Sequence, residues 1–337
     1  MIQKNTILFI IGKVYSTSSQ GCRYRNLLQE LQTYNFVTLL SLFPDVFHKE
    51  TNQKQSNPKK ISLSYFKFIC KKLFAGLLFP DKFIFIKRKM LGQIEQTLRN
   101  KCYSHVILGL TPFSFYPLAS QIKKIDSNIK IVCDLSDPFL DNGANNYFIP
   151  GWRKRIINYE MKHLKNIDAL IVLNKKIKKL YVNNYSSVIP EDRIYVIEQG
   201  YTGKMLLNNL DKDVYKSNLD STVRLVYAGG FYKKLREPFE LYKAIENISH
   251  YNIQLELFGN ISLHFLPKSP KVIYRNSLSQ SDLIKKYYQS NILVFIDNAY
   301  GIQVPGKLLE LLAINRPILF IYSNEESPSL DYVEAAP

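Results

Sequence analysis

The chain predicts an α/β protein made of two Rossmann-like units, each a parallel sheet covered by helices. Three observations lead there. Short continuous apolar runs alternate with amphipathic segments along most of the sequence. Those runs carry apolar residues at consecutive positions, so both strand faces are buried, as in parallel sheets. A polar stretch, Asn208–Ser221, interrupts the series, which then restarts. At 337 residues there is enough chain for two cores.

Taken in order, Ile7–Ile11 is an apolar first strand, too short for a signal-peptide core with a cleavage site. Arg25–Thr33 is a helix and Phe36–Ser41 a strand. His105–Gly109 is a strand, Tyr116–Ile125 a helix and Ile129–Asp134 a strand. Arg153–Leu164 is a helix, Ala169–Leu173 a strand, Lys175–Tyr185 a helix and Ile194–Ile197 a short strand. Beyond the break, Val223–Ala228, Ile253–Phe258, Lys271–Tyr274 and Ile292–Ile296 are strands, with helices at Pro238–Ile248 and Ser281–Tyr288. A helix opening at Pro305 and a strand over Pro317–Ile321 close the series. The expected division is residues 1–207 as an acceptor-side unit, 208–222 as a linker and 223–337 as a second unit. The units are expected to face each other across a cleft, and the second to be cut short at Pro337. No stretch approaches 18 apolar residues, so no membrane-spanning helix is expected.

Hydrophobic content of 46% and charged content of 22% are those of a globular protein, but the net charge is +17. Such a balance calls for an anionic partner: nucleic acid, acidic lipid or a phosphorylated substrate. The segment from Lys49 to Lys101 holds thirteen Lys or Arg against three acids, with aromatics between them. Phe66, Ile69, Cys70, Leu73, Phe74 and Leu77 recur there at helical spacing beside lysines. This fits either a helix on an anionic membrane surface or core packing with a solvated lysine face. Among nucleic-acid modules nothing is recognisable, so that partner is not expected. The four cysteines form no CxxC pair and no cluster with the five histidines, which fits a reduced, cytosolic compartment and no metal site.

In sheets of this kind ligands bind beyond the carboxyl ends of the strands. Two segments stand there. The first is Tyr227-Ala228-Gly229-Gly230-Phe231-Tyr232-Lys233-Lys234-Leu235-Arg236, a strand running into a Gly-Gly turn and three cations. The glycines Gly229 and Gly230 allow a close backbone approach, and Lys233, Lys234 and Arg236 can neutralise a diphosphate. The plain alternative is a tight turn with a solvated basic loop. The second is Gly301-Ile302-Gln303-Val304-Pro305-Gly306-Lys307-Leu308-Leu309-Glu310. A helix opening at Pro305 keeps its free N–H groups for a phosphate. Glu310, one turn in, can accept from a vicinal diol such as a ribose. Here the plain alternative is a solvated i,i+3 pair of Lys307 and Glu310. Together the two segments point to a nucleotide. In the first unit, Gly21 with Arg23 can serve an acceptor or phosphate, and Asp134 with Asp137 is either an acid–base couple or a pair of loop formers. Neither a GxGxxG nor a Walker-type loop follows any strand, so oxidoreductase chemistry is disfavoured.

These motifs resemble those of GT-B glycosyltransferases of the glycosyltransferase family 4 type. The likeness lies in the strand–Gly–Gly turn with its cations, Pro305-x-Lys307-x-x-Glu310, Asn315-Arg316-Pro317 and Asp134-Leu135-Ser136-Asp137-Pro138. It extends to the segment Ile194–Tyr201. The resemblance implies a retaining transferase with no cofactor, taking a nucleotide-diphosphate sugar as substrate. It implies a donor held by the second unit and a saccharide or lipid-linked acceptor. The setting expected is cell-surface polysaccharide synthesis, with the protein peripheral at the inner face of the membrane. Lys233, Lys234 and Arg236 would stabilise the leaving diphosphate in place of a metal. Four features depart from the family's pattern, the first being that the loop from Gly12 to Gly21 lacks a double glycine. Ile302 stands where a first acid is usual, with Gln303 or Asp297 as substitutes. Asn315 replaces a glycine, and Thr111-Pro112 stands where many members carry a histidine. The rival readings are a nucleotide-sugar epimerase and an inactive GT-B protein that binds membrane or a partner.

Overall fold

The computed structural model describes residues 4–12, 19–43, 79–81, 83, 85, 87–142, 150–200 and 221–335. The chain divides into two compact units, Met1–Glu198 and Gln199–Pro337. The expected linker and most of the basic aromatic segment, including its helical stripe from Phe66 to Leu77, lie outside the described residues.

In the first unit six parallel strands stand in the order β2-β1-β3-β4-β5-β6. They are β1 (Thr6–Ile11), β2 (Phe36–Ser41), β3 (His105–Gly109), β4 (Lys130–Leu135), β5 (Ala169–Val172) and β6 (Ile194–Val196). The helices are α1 (Ser19–Tyr34), α2 (Lys87–Asn100), α3 (Tyr116–Ile125), α4 (Trp152–Leu164) and α5 (Lys175–Tyr185). α1 packs Tyr24, Leu27 and Leu28 onto Phe9 and Ile11 of β1. α2 was not foreseen, because its basic composition hides a narrow apolar stripe. Met90 and Ile94, four apart, are buried while Arg88 and Lys89 meet water.

The second unit has five parallel strands in the order β11-β10-β7-β8-β9. These are β7 (Val223–Ala228), β8 (Ile253–Phe258), β9 (Val272–Arg275), β10 (Ile292–Ile296) and β11 (Ile318–Ile321). Among the described residues the helices with them are α6 (Phe239–Asn247), α7 (Gln280–Gln289), α8 (Lys307–Leu312) and α9 (Leu330–Glu334). Successive residues of one strand feed two different cores. Val226, Ala228, Leu293 and Phe295 meet α7 and α8 through Ile284, Tyr287, Leu308 and Leu311. Leu225, Tyr227, Val294 and Ile296 meet α6 through Leu241, Tyr242 and Ile245. This two-sided burial is why the strands read as unbroken apolar runs.

Candidate functional site

The second sheet changes direction between β7 and β10, which lie side by side while β8 and β11 flank them outward. Such a reversal point, beyond the carboxyl ends of the strands, is the usual ligand position in sheets of this kind. At the end of β7, Gly229 keeps pairing with β8 through its N–H to the Phe258 carbonyl (2.9 Å). Gly259, at φ +139°, lies so close that a Cβ on it would sit 2.5 Å from the Gly229 carbonyl oxygen. The lack of a side chain at Gly259 thus allows this close backbone packing. Beyond it, Tyr232 and Arg236 exchange two backbone hydrogen bonds of 2.9 and 2.8 Å. They close a turn in which Lys234 is left-handed at φ +65°, its N–H held by Glu237 Oε1 at 2.9 Å. Lys233 and Lys234 are exposed, whereas Arg236 is half-buried.

The loop leaving β10 meets this turn. The Ala299 N–H donates to the Leu235 carbonyl at 2.7 Å, and Arg236 Nη2 donates to Asn298 Oδ1 at 2.7 Å. The buried Arg236 Nε–H finds no partner in the protein. Gly301 is left-handed (φ +103°), and Gln303, Pro305 and Gly306 are half-buried. The helix starts at Lys307 with Gly306 as its cap, two residues later than expected at Pro305, whose carbonyl instead accepts from the Leu308 N–H (2.9 Å). Leu308 and Leu311 anchor α8 in the core, with Lys307 Nζ 5.8 Å from the centre of the Tyr287 ring. Burial, and then the charge of Glu310, raise the Tyr287 hydroxyl well above the ordinary tyrosine range. Glu310 Oε2 accepts from Lys307 Nζ at 2.9 Å, so the i,i+3 pair exists. Its other oxygen, Oε1, is buried without a partner.

Two departures noted in the sequence find physical accounts here. Asn315 is left-handed at φ +56°, a conformation that glycine adopts freely and asparagine tolerates. Asp297 does not stand in for the missing acid. It is buried, and its carboxylate accepts from Ser327 Oγ (2.5 Å) and Ser329 Oγ (3.0 Å).

The first-unit candidates are arranged differently from the expectation of an acceptor loop. α1 already begins at Ser19, so Gly21 and Arg23 lie within its first turns, both buried. The Arg23 guanidinium grips Asp134 through Nη2 (2.6 Å) and Nε (3.1 Å) and donates from Nη1 to the Glu198 carbonyl (2.9 Å). At 2% and 0% exposure this pair is buried, and it fixes α1 to β4 and to the end of the unit. Asp137 is half-buried beside it in the loop after β4. A second buried cluster lies between helices. Glu160 of α4 accepts hydrogen bonds from the hydroxyls of Tyr116, Tyr181 and Tyr185. Desolvation lifts its carboxyl to about 7, against the opposing pull of those hydrogen bonds.

Asn298 and Tyr227 were missed in the sequence, although Asn298 sits just after a strand, where such residues are to be sought. Among the described residues no group of three or more His, Cys, Asp or Glu could hold a metal ion. Among them, too, no helix is long and apolar enough to cross a membrane.

No family model matches the chain, and no curated protein matches its sequence. Solved structures do match in three dimensions. Sucrose-phosphate synthase from Thermosynechococcus elongatus superposes with a TM-score of 0.63 at 14% identity, over 94% of this chain and 81% of that one. The lipopolysaccharide outer core galactosyltransferase WaaB gives 0.55 at 14%, over 98% and 88%. A putative UDP-N-acetylglucosamine 2-epimerase from Listeria monocytogenes gives 0.53 at 11%, over 99% and 82%. At such identities the likeness establishes the fold alone: two parallel α/β units of the kind found in GT-B glycosyltransferases.

Proposed function

We propose that this protein is a retaining glycosyltransferase of the family 4 type, moving a sugar from a nucleotide-diphosphate donor to a saccharide or lipid-linked acceptor. The observation that carries this reading is a complementary pair of buried, unpartnered atoms, the donor Arg236 Nε–H and the acceptor Glu310 Oε1. Both belong to segments that follow adjacent strands at the point where the sheet reverses. Leaving such groups unsatisfied costs about 1–3 kcal/mol each. A diphosphate oxygen would satisfy the first and a ribose hydroxyl the second. Lys233 and Lys234, exposed on the same turn, would add positive charge where the leaving diphosphate develops its own. Those cations take the place of a metal. Sucrose-phosphate synthase and the galactosyltransferase support sugar transfer as the chemistry hosted by this fold. The lipopolysaccharide galactosyltransferase also supports a cell-surface glycan as the setting.

The epimerase among the similar structures favours a second reading, nucleotide-sugar epimerisation. A third, binding without catalysis, rests on Ile302 in place of an acid. A thermal-shift screen of UDP-, GDP- and ADP-sugars identifies the donor, since a ligand that binds only the folded state raises the melting temperature. Product analysis with that donor then separates the readings. Transfer or slow donor hydrolysis supports the proposal, an epimerised nucleotide sugar supports the second, and an unchanged donor the third.

A further inference from the structure

We infer that Asn298 is a positioning residue for Arg236, aiming the guanidinium at the second phosphate of a nucleoside diphosphate. The inference rests on the nucleotide reading of the β7–β10 edge. An arginine on a loop has much rotamer freedom to lose on meeting an anion. Here much of that loss is already taken in the fold. The turn is closed by the two Tyr232–Arg236 backbone bonds and pinned to the next loop by the Ala299–Leu235 bond. The side chain is then held at its tip by Asn298 Oδ1 at 2.7 Å, and it lies against the Tyr227 hydroxyl, which itself donates to the Gly230 carbonyl at 3.0 Å. Asn298 is suited to this because its carbonyl oxygen accepts without neutralising the guanidinium. A carboxylate at the same place would hold the arginine more firmly and cancel the charge the phosphate needs. The buried Nε–H is left for the ligand.

This predicts an unusual pattern. Wild-type protein, Asn298→Ala, Asn298→Asp and Arg236→Ala are titrated calorimetrically with UDP, GDP, ADP and the three matching monophosphates. Urea unfolding is followed in parallel. The wild type should prefer at least one diphosphate over its monophosphate. Asn298→Ala should lower that preference by about tenfold, with monophosphate affinity unchanged. Asn298→Asp should keep or raise the urea midpoint and yet lose the preference, so stability and selectivity move apart. In the Arg236→Ala background, changing Asn298 should have no further effect on selectivity. An unchanged preference in Asn298→Ala, or equal losses for mono- and diphosphates, overturns the positioning role while leaving the nucleotide site standing. A wild type that binds none of the six probes overturns the nucleotide reading, and this inference with it.

Discussion

Replacing Glu310 by alanine should weaken nucleotide binding and leave the fold as stable as before, or slightly more so. The magnitude follows from what each carboxylate oxygen does. Oε2 makes the Lys307 ion pair, at 32% and 19% side-chain exposure, and such an i,i+3 pair contributes about 0.3–0.5 kcal/mol. Oε1 is buried without a partner, which costs about 1–3 kcal/mol in the free protein. Removing the side chain therefore gives up a few tenths and relieves a larger penalty. With ligand bound the balance reverses, because a charged hydrogen bond to a ribose hydroxyl contributes roughly 1.5–3 kcal/mol. The expected loss of affinity is about 10- to 150-fold. Calorimetric titration with the nucleoside diphosphate selected by the thermal-shift screen measures the first quantity, and urea unfolding the second. A variant that is clearly destabilised but binds as the wild type does would make Glu310 a structural residue and refute the assignment.

Other outcomes follow from the same structure. Because burial lifts Glu160 from 4.5 to about 7, the fold favours its protonated form. That contribution is fully present below about pH 4.5, is lost as pH rises through 7, and amounts to roughly 3 kcal/mol. Glu160→Gln should flatten the pH dependence of the urea midpoint across this window, and an unaltered slope would assign the dependence to other groups. Gly259→Ala should lower the melting temperature by several degrees, since its Cβ meets the Gly229 carbonyl at 2.5 Å and φ is +139°. Gly92→Ala, in α2 with no atom within 4 Å of the added Cβ, should raise stability by about 0.5–1 kcal/mol. The protein should float with anionic but not neutral vesicles at low salt, and charge reversal at Lys71, Lys72, Lys87 and Arg88 should abolish this. Sedimentation with the soluble fraction would leave the basic surface to another anionic partner.

The architecture was legible because continuous apolar runs leave few options in a chain of this length. Val223–Ala228, Ile253–Phe258 and Ile292–Ile296 emerge with the bounds expected of them. Loops at the carboxyl ends were legible by the same logic. What escaped is contact between residues far apart in sequence. Arg23 and Asp134 are separated by 111 residues, and neither alone points to the other. Glu160 looks like a surface acid until three tyrosines from two other helices surround it. The start of α1 was read late because Ser19, Gln20 and Gly21 carry no apolar stripe. The start of α8 was read early because proline favours the first helical turn, whereas here it stands just outside.

The two-sided burial of the second sheet bears on how this unit finds its native pairing. In a sheet wet on one face, sliding a strand by one residue exposes its apolar side chains and is rejected at once. Here a slip of β7 against β8 would only exchange residues between two dry cores, and hydrophobicity alone would hardly oppose it. What opposes it is shape at the strand ends, where only the native pairing puts Gly259 against Gly229 and brings Arg236 to Asn298. The turns that form the candidate site therefore also carry the shape that distinguishes the native strand register.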